Sequence, residues 1–170
     1  LKGADNAASK ATRTYLSAVG ISVNKGECSK VGSKANPGPG CTSVWLLKTD
    51  NIVDFKKKCD KWVNDHNIST SCLVIITGGT ECWFHGSSPT IHMPNGNIVD
   101  ISSAGATSAL NQYIKSGTSE HIDVWYGGKG ATLWKKDGFE IVEEDAGTPN
   151  AHYHFLKYAP WAQAGTSGDF

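Results

Sequence analysis

Two stretches of the sequence concentrate residues that can bind a metal ion. The first runs from His92 to Asp100, and the second is His152-Tyr-His154. A catalytic zinc ion takes three protein ligands and leaves a further position open for water. His92, Asp100 and one of the two later histidines would supply that set, so this pattern indicates a zinc centre.

Local structure should let these side chains converge. Gly96 allows the chain to turn between His92 and Asp100. His152 and His154 alternate along a predicted strand and therefore point to the same face. One of them could bind the metal while the other hydrogen-bonds water or a reacting carbonyl oxygen. The alternative is an ordinary loop, turn and strand without a metal.

The 5 cysteines all lie in the first half of the chain, and none forms a Cys-x-x-Cys pair typical of structural zinc. We expect disulfides between Cys28 and Cys41 and between Cys59 and Cys72, which would leave Cys82 free. Oxidised pairs indicate a secreted, periplasmic or virion-associated protein. The alternative is a cytosolic protein with reduced cysteines, some of them in the core.

The length, charge and hydropathy of the chain limit the kinds of partner that it is expected to bind. The 170 residues suit one domain, and 16 basic residues balance 16 acidic ones, so no strong field favours nucleic acid. The longest apolar run, Cys72 to Ile76, is too short to cross a membrane. We therefore expect neither nucleic-acid binding nor membrane insertion. We also expect the isolated domain to be a monomer. Leu1 stands where a starting methionine would, which indicates a processed or excised piece of a longer protein.

Hydrophobic periodicity predicts helices in the first part of the chain and strands in the last third, which is an α+β layout. We expect the helices of the N-terminal half to pack on a mainly antiparallel sheet, in one domain over residues 1–161 with a flexible tail at 162–170. The predicted helices are Asp5–Val19, a helix capped by Asp50 and Thr107–Lys115. The predicted strands are Cys72–Thr77, Asn97–Ile101, Ile122–Tyr126, Ala131–Lys135, Phe139–Val142 and Tyr153–Leu156.

Several of these residues together resemble a known family. The run Leu73-Val-Ile-Ile-Thr-Gly-Gly-Thr-Glu81, then His92, Gly96 and Asp100, and finally His152-Tyr-His154-Phe, is similar to the zinc D,D-carboxypeptidase and L-alanyl-D-glutamate endopeptidase family. That family shares its fold with the Hedgehog signalling domain. The resemblance covers roughly Ile52 to Phe155 in order of elements.

The resemblance implies a Hedgehog/DD-peptidase-like fold and a zinc peptidase that acts on bacterial peptidoglycan. By it, His92, Asp100 and His154 are the metal ligands, and His152 assists the reaction. Two departures concern spacing and substrate binding. His92 and Asp100 lie one residue further apart than in the commonest family spacing, and Glu81 stands where the family often has an arginine that holds the substrate carboxylate.

A third departure concerns the general base. Many family members have Glu or Asp three residues before the last ligand, and this chain has Ala151 there. Hydrolysis still needs a proton acceptor near the metal. Ala151 could be an inactivating replacement, the base could be Glu81, Glu144 or Asp145, or the domain could lack hydrolytic activity, as the alanine before His-x-His in Hedgehog-like domains suggests.

Two other functions remain open. The first is a non-catalytic, metal-stabilised module that binds the cell wall or has a structural role, with an aromatic binding platform formed by Trp83, Phe84, Trp125, Trp134 and Trp161. The second is a cysteine hydrolase that uses Cys82 with His85 or His152, although no helix start follows Cys82 to lower the pKa of its thiol.

Overall fold

The computed structural model describes residues 7–84, 92–103, 108–123, 125 and 128–156, which form an α+β fold around a seven-stranded sheet. The helices are α1 (Ala7–Ala18), α2 (Asp50–Asp65) and α3 (Ala109–Lys115), and a short 3₁₀ helix spans Cys82–Phe84. The strands are β1 (Ile21–Val23), β2 (Val74–Gly78), β3 (Val99–Ser102), β4 (Thr118–Ile122), β5 (Ala131–Lys136), β6 (Phe139–Glu144) and β7 (His152–Leu156).

The strands follow the order β1-β2-β3-β7-β6-β5-β4 across the sheet. Among the strands that the structure describes, β1 and β2 are parallel, and each other pair of neighbours is antiparallel. The sheet is therefore mainly antiparallel, as the sequence predicts. Because β7 returns to the middle of the sheet, it lies between β3 and β6 and brings the two histidine-bearing stretches together.

Helix α2 shows why the core forms on one face of the sheet. Its apolar residues recur at three- and four-residue intervals, so Ile52, Phe55, Cys59 and Val63 form a buried stripe. Phe55 packs against the rings of aromatic residues from α3 and β6, with centroid separations of 5.5 and 5.4 Å. Lys58 and Lys61 on the outer side of α2 form i,i+4 pairs with aspartates, whereas Lys56 is buried and donates to the carbonyl of Cys72.

The two faces of the sheet differ in chemistry. Val99 and Ile101 of β3, Ile141 of β6 and Tyr153 of β7 are buried in the main core with the helices. Because side chains alternate along a strand, the residues next to these four in sequence point to the opposite face of the sheet. On that face Asp100 of β3 lies directly opposite His154 of the adjacent strand β7. The polar candidates therefore lie on the face opposite the helices.

Tyr153 anchors β7 at the position between the two histidines. Its side chain is fully buried, and its hydroxyl donates a hydrogen bond to Asn111 of α3. The amide of Asn111 in turn donates to the backbone carbonyl of Ser103, 2.7 Å away, just after β3. This network holds β3, β7 and α3 in one register, and so it fixes where His152 and His154 emerge.

Both predicted disulfides are confirmed. Cys28 bonds to Cys41, Cys59 bonds to Cys72, and Cys82 is a free thiol. Disulfides are typical of an oxidising, extracytoplasmic environment. Among the described residues, no helix has both the length and the apolar character that a membrane crossing requires.

We expect each disulfide to stabilise the fold by a similar amount. Both join residues with a sequence separation of 13, and a loop of that size contributes about 3 kcal/mol in the chain-entropy model. The Cys59→Ala/Cys72→Ala and Cys28→Ala/Cys41→Ala variants should each lose about that free energy of unfolding in urea titrations. A change below about 0.5 kcal/mol in either variant would show that loop closure is not the source of stability there.

Two parts of the sheet were not predicted correctly. The predicted strand Ile122–Tyr126 is wrong in its described part, because the strand β4 ends at Ile122 and Trp125 closes a turn through its N–H to the carbonyl of Lys129, 2.7 Å away. Val124 and Tyr126 lie outside the described residues. Nearly all of β4 is exposed, so it lacks the alternating apolar signal. The short strand β1 was missed. The predicted tail at 162–170 lies outside the described residues.

Candidate metal centre

The centre begins with a carboxylate and an imidazole on adjacent strands. Asp100 of β3 pairs directly with His154 of β7, and the Oδ1 atom of Asp100 lies 2.7 Å from Nδ1 of His154. The side chain of His154 is 7% exposed and that of Asp100 is 14% exposed. Two groups that water would otherwise solvate are therefore held together in a largely buried place.

His92 reaches the same carboxylate from the loop before β3. Its imidazole is buried, its Nδ1 atom lies 2.9 Å from the carbonyl oxygen of Gly79, and its Nε2 atom lies 3.5 Å from Oδ1 of Asp100. The predicted turn at Gly96 is present, since the N–H of Gly96 donates to the carbonyl of Met93. The sequence prediction that His92, Asp100 and His154 converge agrees with this geometry.

The separations of these atoms suit a small divalent cation. One ligand atom from each of His92, Asp100 and His154 lies within 4.8 Å of the others. Ligand atoms about 2.0–2.1 Å from a tetrahedral zinc ion would lie roughly 3.3 Å apart. The two measured nitrogen-to-oxygen distances, 2.7 and 3.5 Å, lie on either side of that value.

The hydrogen bonding shows which ring nitrogen of each histidine faces Asp100. The carbonyl of Gly79 can only accept a hydrogen bond, so it pairs with Nδ1 of His92 and leaves Nε2 as the ring nitrogen that faces Asp100. Nε2 of His154 is buried without a hydrogen-bond partner in the described part of the chain. The nitrogen of His154 that faces Asp100 is Nδ1, so the atoms directed at a metal ion would be Nε2 of His92, Nδ1 of His154 and a carboxylate oxygen of Asp100. This buried His–Asp–His group could therefore hold a metal ion.

Glu81 supports the ring of His92 through the backbone. Its carboxylate is buried and accepts two N–H groups, from Gly79 at 2.7 Å and from Ser43 at 2.6 Å. Gly79 must be glycine here, because a Cβ atom would lie 2.0 Å from the carbonyl oxygen of Ser43. Glu81 thus fixes the turn whose carbonyl orients His92. With these bonds in place, the geometry favours a positioning role for Glu81 over proton transfer.

Replacing Glu81 with glutamine should weaken both the fold and the centre. The amide nitrogen of the new side chain cannot accept the second backbone N–H, and an unsatisfied buried donor costs about 1–3 kcal/mol. Zinc affinity should fall by about 10–100-fold, the usual effect of losing a group that orients a ligand. Urea unfolding and a zinc-chelator competition would measure the two effects. Glu120→Gln is the control, because the side chain of Glu120 is 51% exposed.

A second polar cluster lies beside the ligands on the same face of the sheet. Glu144 of β6 pairs with His152 of β7, and Nε2 of His152 lies 2.8 Å from Oε2 of Glu144. The other ring nitrogen, Nδ1, lies 2.8 Å from the carbonyl oxygen of Asn150. The indole N–H of Trp125 donates to Oε1 of Glu144. Both carboxylate oxygens therefore face a donor.

The charges of this cluster follow from those contacts. Burial favours the neutral form of Glu144, but the hydrogen bond from His152 and the nearby His154 outweigh it and lower the pKa of Glu144. Burial likewise opposes protonation of His152, but the Glu144 hydrogen bond and the Asp100 charge outweigh it and raise its pKa to about 9. At neutral pH the pair is a carboxylate and an imidazolium.

Asp145 and position 151, two other candidates for the general base, are less well placed than Glu144 to accept a proton at this centre. Asp145 occupies the turn after β6 with a φ of 51°, and its carboxylate lies 3.6 Å from the ammonium group of Lys129. Ala151 lies immediately before β7, and its carbonyl accepts a hydrogen bond from the Ser103 hydroxyl. Glu144, in contrast, contacts His152 directly and lies close enough to His154 for the charge of that imidazole to act on it.

The residues of the alternative hypotheses are dispersed. Cys82 belongs to the 3₁₀ helix, and burial raises the pKa of its thiol, which disfavours the reactive thiolate. Trp134 packs against the main core and donates to Glu143 on the helical side of the sheet, whereas the ring of Trp125 contacts that of His154, a candidate ligand. His85 and Trp161 lie outside the described residues.

Sequence reasoning missed two parts of this centre. Trp125 was a candidate only for a binding platform, and its bond to Glu144 depends on a turn between β4 and β5 that carries no motif. The Gly79 carbonyl has no side-chain signal at all, although the Gly-Gly sequence after β2 marks the turn. Comparison with models of known families, with curated proteins and with solved structures finds no match.

Proposed function

We propose that this chain is a zinc-dependent hydrolase that cleaves stem or cross-bridge peptides of bacterial peptidoglycan. The observation that carries the proposal is the buried convergence of His92, Asp100 and His154, whose ligand atoms lie within 4.8 Å of one another. Two histidines and a carboxylate form a ligand set suited to catalytic zinc. Such a set leaves a coordination position for water or substrate.

The residues around the centre suit amide hydrolysis. Zinc bound there would act as a Lewis acid that polarises a carbonyl group and acidifies water. Glu144 is an ionised carboxylate and can accept the proton that an attacking water loses. His152 carries a proton on each ring nitrogen, one directed at Glu144 and the other at the carbonyl of Asn150, and its positive charge would favour an oxygen on which negative charge develops nearby.

Glu144 would thus be the general base that Ala151, at the expected position, cannot be. In this arrangement the proton acceptor lies on β6, the strand next to β7. Many members of the resembling family instead have it three residues before the last ligand. The pairing of Glu144 with His152 keeps both groups at the edge of the His–Asp–His centre. An enzyme with this arrangement needs no acidic residue at position 151.

Peptidoglycan as the substrate rests on two supports. The first is the resemblance of the runs around His92, Asp100 and His154 to zinc peptidases of the bacterial wall. The second is the pair of disulfides, which suits an extracytoplasmic protein that meets the wall. The substrate carboxylate needs an anchor other than the usual family arginine, since Glu81 is buried against the backbone at that position.

Digestion of purified sacculi tests the proposal. Zinc-loaded protein should release soluble stem-peptide fragments that mass spectrometry can identify, and His154→Ala should release none. Wild-type protein and Ala151→Glu should be assayed together. If neither releases fragments while both bind zinc, the hydrolase proposal is wrong.

A non-catalytic, metal-stabilised wall-binding module is the second candidate, and Ala151 is the observation that favours it. Such a module would sediment with sacculi and release no fragments, with or without a glutamate at position 151. Co-sedimentation of zinc-loaded protein, followed by analysis of the supernatant, distinguishes the two functions.

A further inference from the structure

The indole N–H of Trp125 makes polar contact with Glu144, the candidate base. Its indole N–H donates to Oε1 of Glu144, while His152 occupies Oε2 of the same carboxylate at 2.8 Å. A carboxylate rotates easily about its last side-chain bond unless both oxygens are held. The two donors, one on each oxygen, fix the plane of the Glu144 carboxylate.

The ring of Trp125 is itself held from several sides. It packs against a small apolar cluster formed by Ala131, Leu133 and Val142 on the face opposite the helices. The edge of the ring meets His154, with centroids 5.9 Å apart and planes at 64°. This placement gives the indole N–H a defined direction towards Glu144.

The backbone at Trp125 is equally constrained. Its N–H donates to the carbonyl of Lys129 at 2.7 Å, and its carbonyl accepts from the N–H of Gly128 at 3.0 Å. Gly128 has a φ of 76°, a conformation that favours glycine. The turn between β4 and β5 therefore presents Trp125 to the centre, although neither of these two strands contributes a candidate ligand.

Packing alone does not account for these contacts. An aromatic residue that only filled space could direct its N–H to water, whereas this N–H is committed to a carboxylate whose side chain is 17% exposed. Phenylalanine would preserve most of the packing but would leave Oε1 of Glu144 without that donor. The polar and apolar roles of Trp125 can thus be separated by a single substitution.

We propose that Trp125 is a positioning residue that acts through Glu144: its indole N–H holds the carboxylate in the orientation in which Glu144 accepts a proton beside the His92–Asp100–His154 centre. The proposal rests on the proposed function for its catalytic consequence. The contact itself does not depend on activity and can be tested separately.

The contact is tested by NMR of the tryptophan indole N–H groups. Trp125→Phe identifies the signal by its loss, and Glu144→Ala should move that same signal upfield because a hydrogen bond to a carboxylate disappears. Trp134→Phe and Asp145→Asn serve as controls, since Trp134 donates to Glu143 at 3.2 Å on the other face. An unchanged Trp125 signal in Glu144→Ala would overturn the proposal whether or not the protein is an enzyme.

The consequence is tested by kinetics on the zinc-loaded protein. Trp125→Phe should lower kcat about 10–100-fold with zinc affinity within about threefold of wild type, the range expected when an orienting contact is lost. In a Glu144→Gln background the same substitution should have little further effect on kcat, because the group through which it acts is gone.

The results separate this proposal from the proposed function. An unchanged kcat in Trp125→Phe, or an equal loss in Trp134→Phe, overturns the positioning role. A fall that persists unchanged in the Glu144→Gln background also overturns it, since Trp125 would then act by another route. If wild-type protein releases no peptides, the hydrolase proposal fails and the NMR result alone decides whether Trp125 orients Glu144.

Discussion

Glutamine in place of Glu144 is expected to lower kcat for stem-peptide release by about 10²–10⁴-fold, the usual contribution of a general base. The glutamine keeps the size of the side chain and can still accept the Trp125 hydrogen bond, but it cannot take a proton. Zinc affinity should change little, because Glu144 contacts His152 and Trp125 and is not one of the three ligands. Single-turnover kinetics with a soluble stem peptide would measure the effect.

Asp145→Asn is the matched control for Glu144→Gln. The two acidic residues are adjacent, both are candidates for the base, and asparagine tolerates the left-handed conformation of Asp145. Its kcat should stay within about threefold of wild type, because its charge faces Lys129. A large loss in Asp145→Asn with full activity in Glu144→Gln would reverse the assignment of the base.

Zinc is expected to stabilise the folded protein strongly, and Asp100→Asn should abolish most of that effect. Ligand binding to the native state alone contributes about 4 kcal/mol at a free concentration near 1,000 times Kd. For a chain of this size that corresponds to a rise in Tm of roughly 8–16 °C. Thermal unfolding followed by circular dichroism, with and without zinc, would measure the shift.

The control for this prediction is a histidine away from the centre. His121 is on β4 with a side chain that is 67% exposed, so His121→Ala should keep the full response to zinc. In Asp100→Asn the remaining histidines can bind zinc only weakly, and the rise in Tm should nearly disappear. An equal rise in wild type and Asp100→Asn would place the metal at another site.

The parts of the fold that the sequence predicts are those with strong local signals. The apolar stripe of α2 and the continuous apolar run that becomes β2 are long enough to mark buried elements. The exposed strand β4 and the three-residue strand β1 lack such a pattern, since their formation depends on pairing with β5 and β2. These two strands form because each pairs with another strand of the sheet, and a local sequence pattern does not contain that information.

The candidate site was predictable to a similar extent. Residue type and spacing identify His92, Asp100 and one of the two later histidines, and only the resemblance selects His154. The alternation of β7 explains why His152 shares the face of His154. The choice of Glu144 over the other acidic residues depends on β6 lying next to β7, which only the sheet order reveals. The orienting roles of Glu81 and Trp125 depend on turns that bring distant backbone into contact.

The most direct test of the account is the metal content of the purified chain and of His154→Ala, measured by elemental analysis after dialysis against metal-free buffer and reconstitution with zinc. The account predicts near-stoichiometric zinc in the wild-type protein and a large loss in His154→Ala, with His121→Ala retaining the metal. No zinc in the wild-type protein after reconstitution, or equal zinc in His154→Ala, would contradict a metal centre formed by His92, Asp100 and His154.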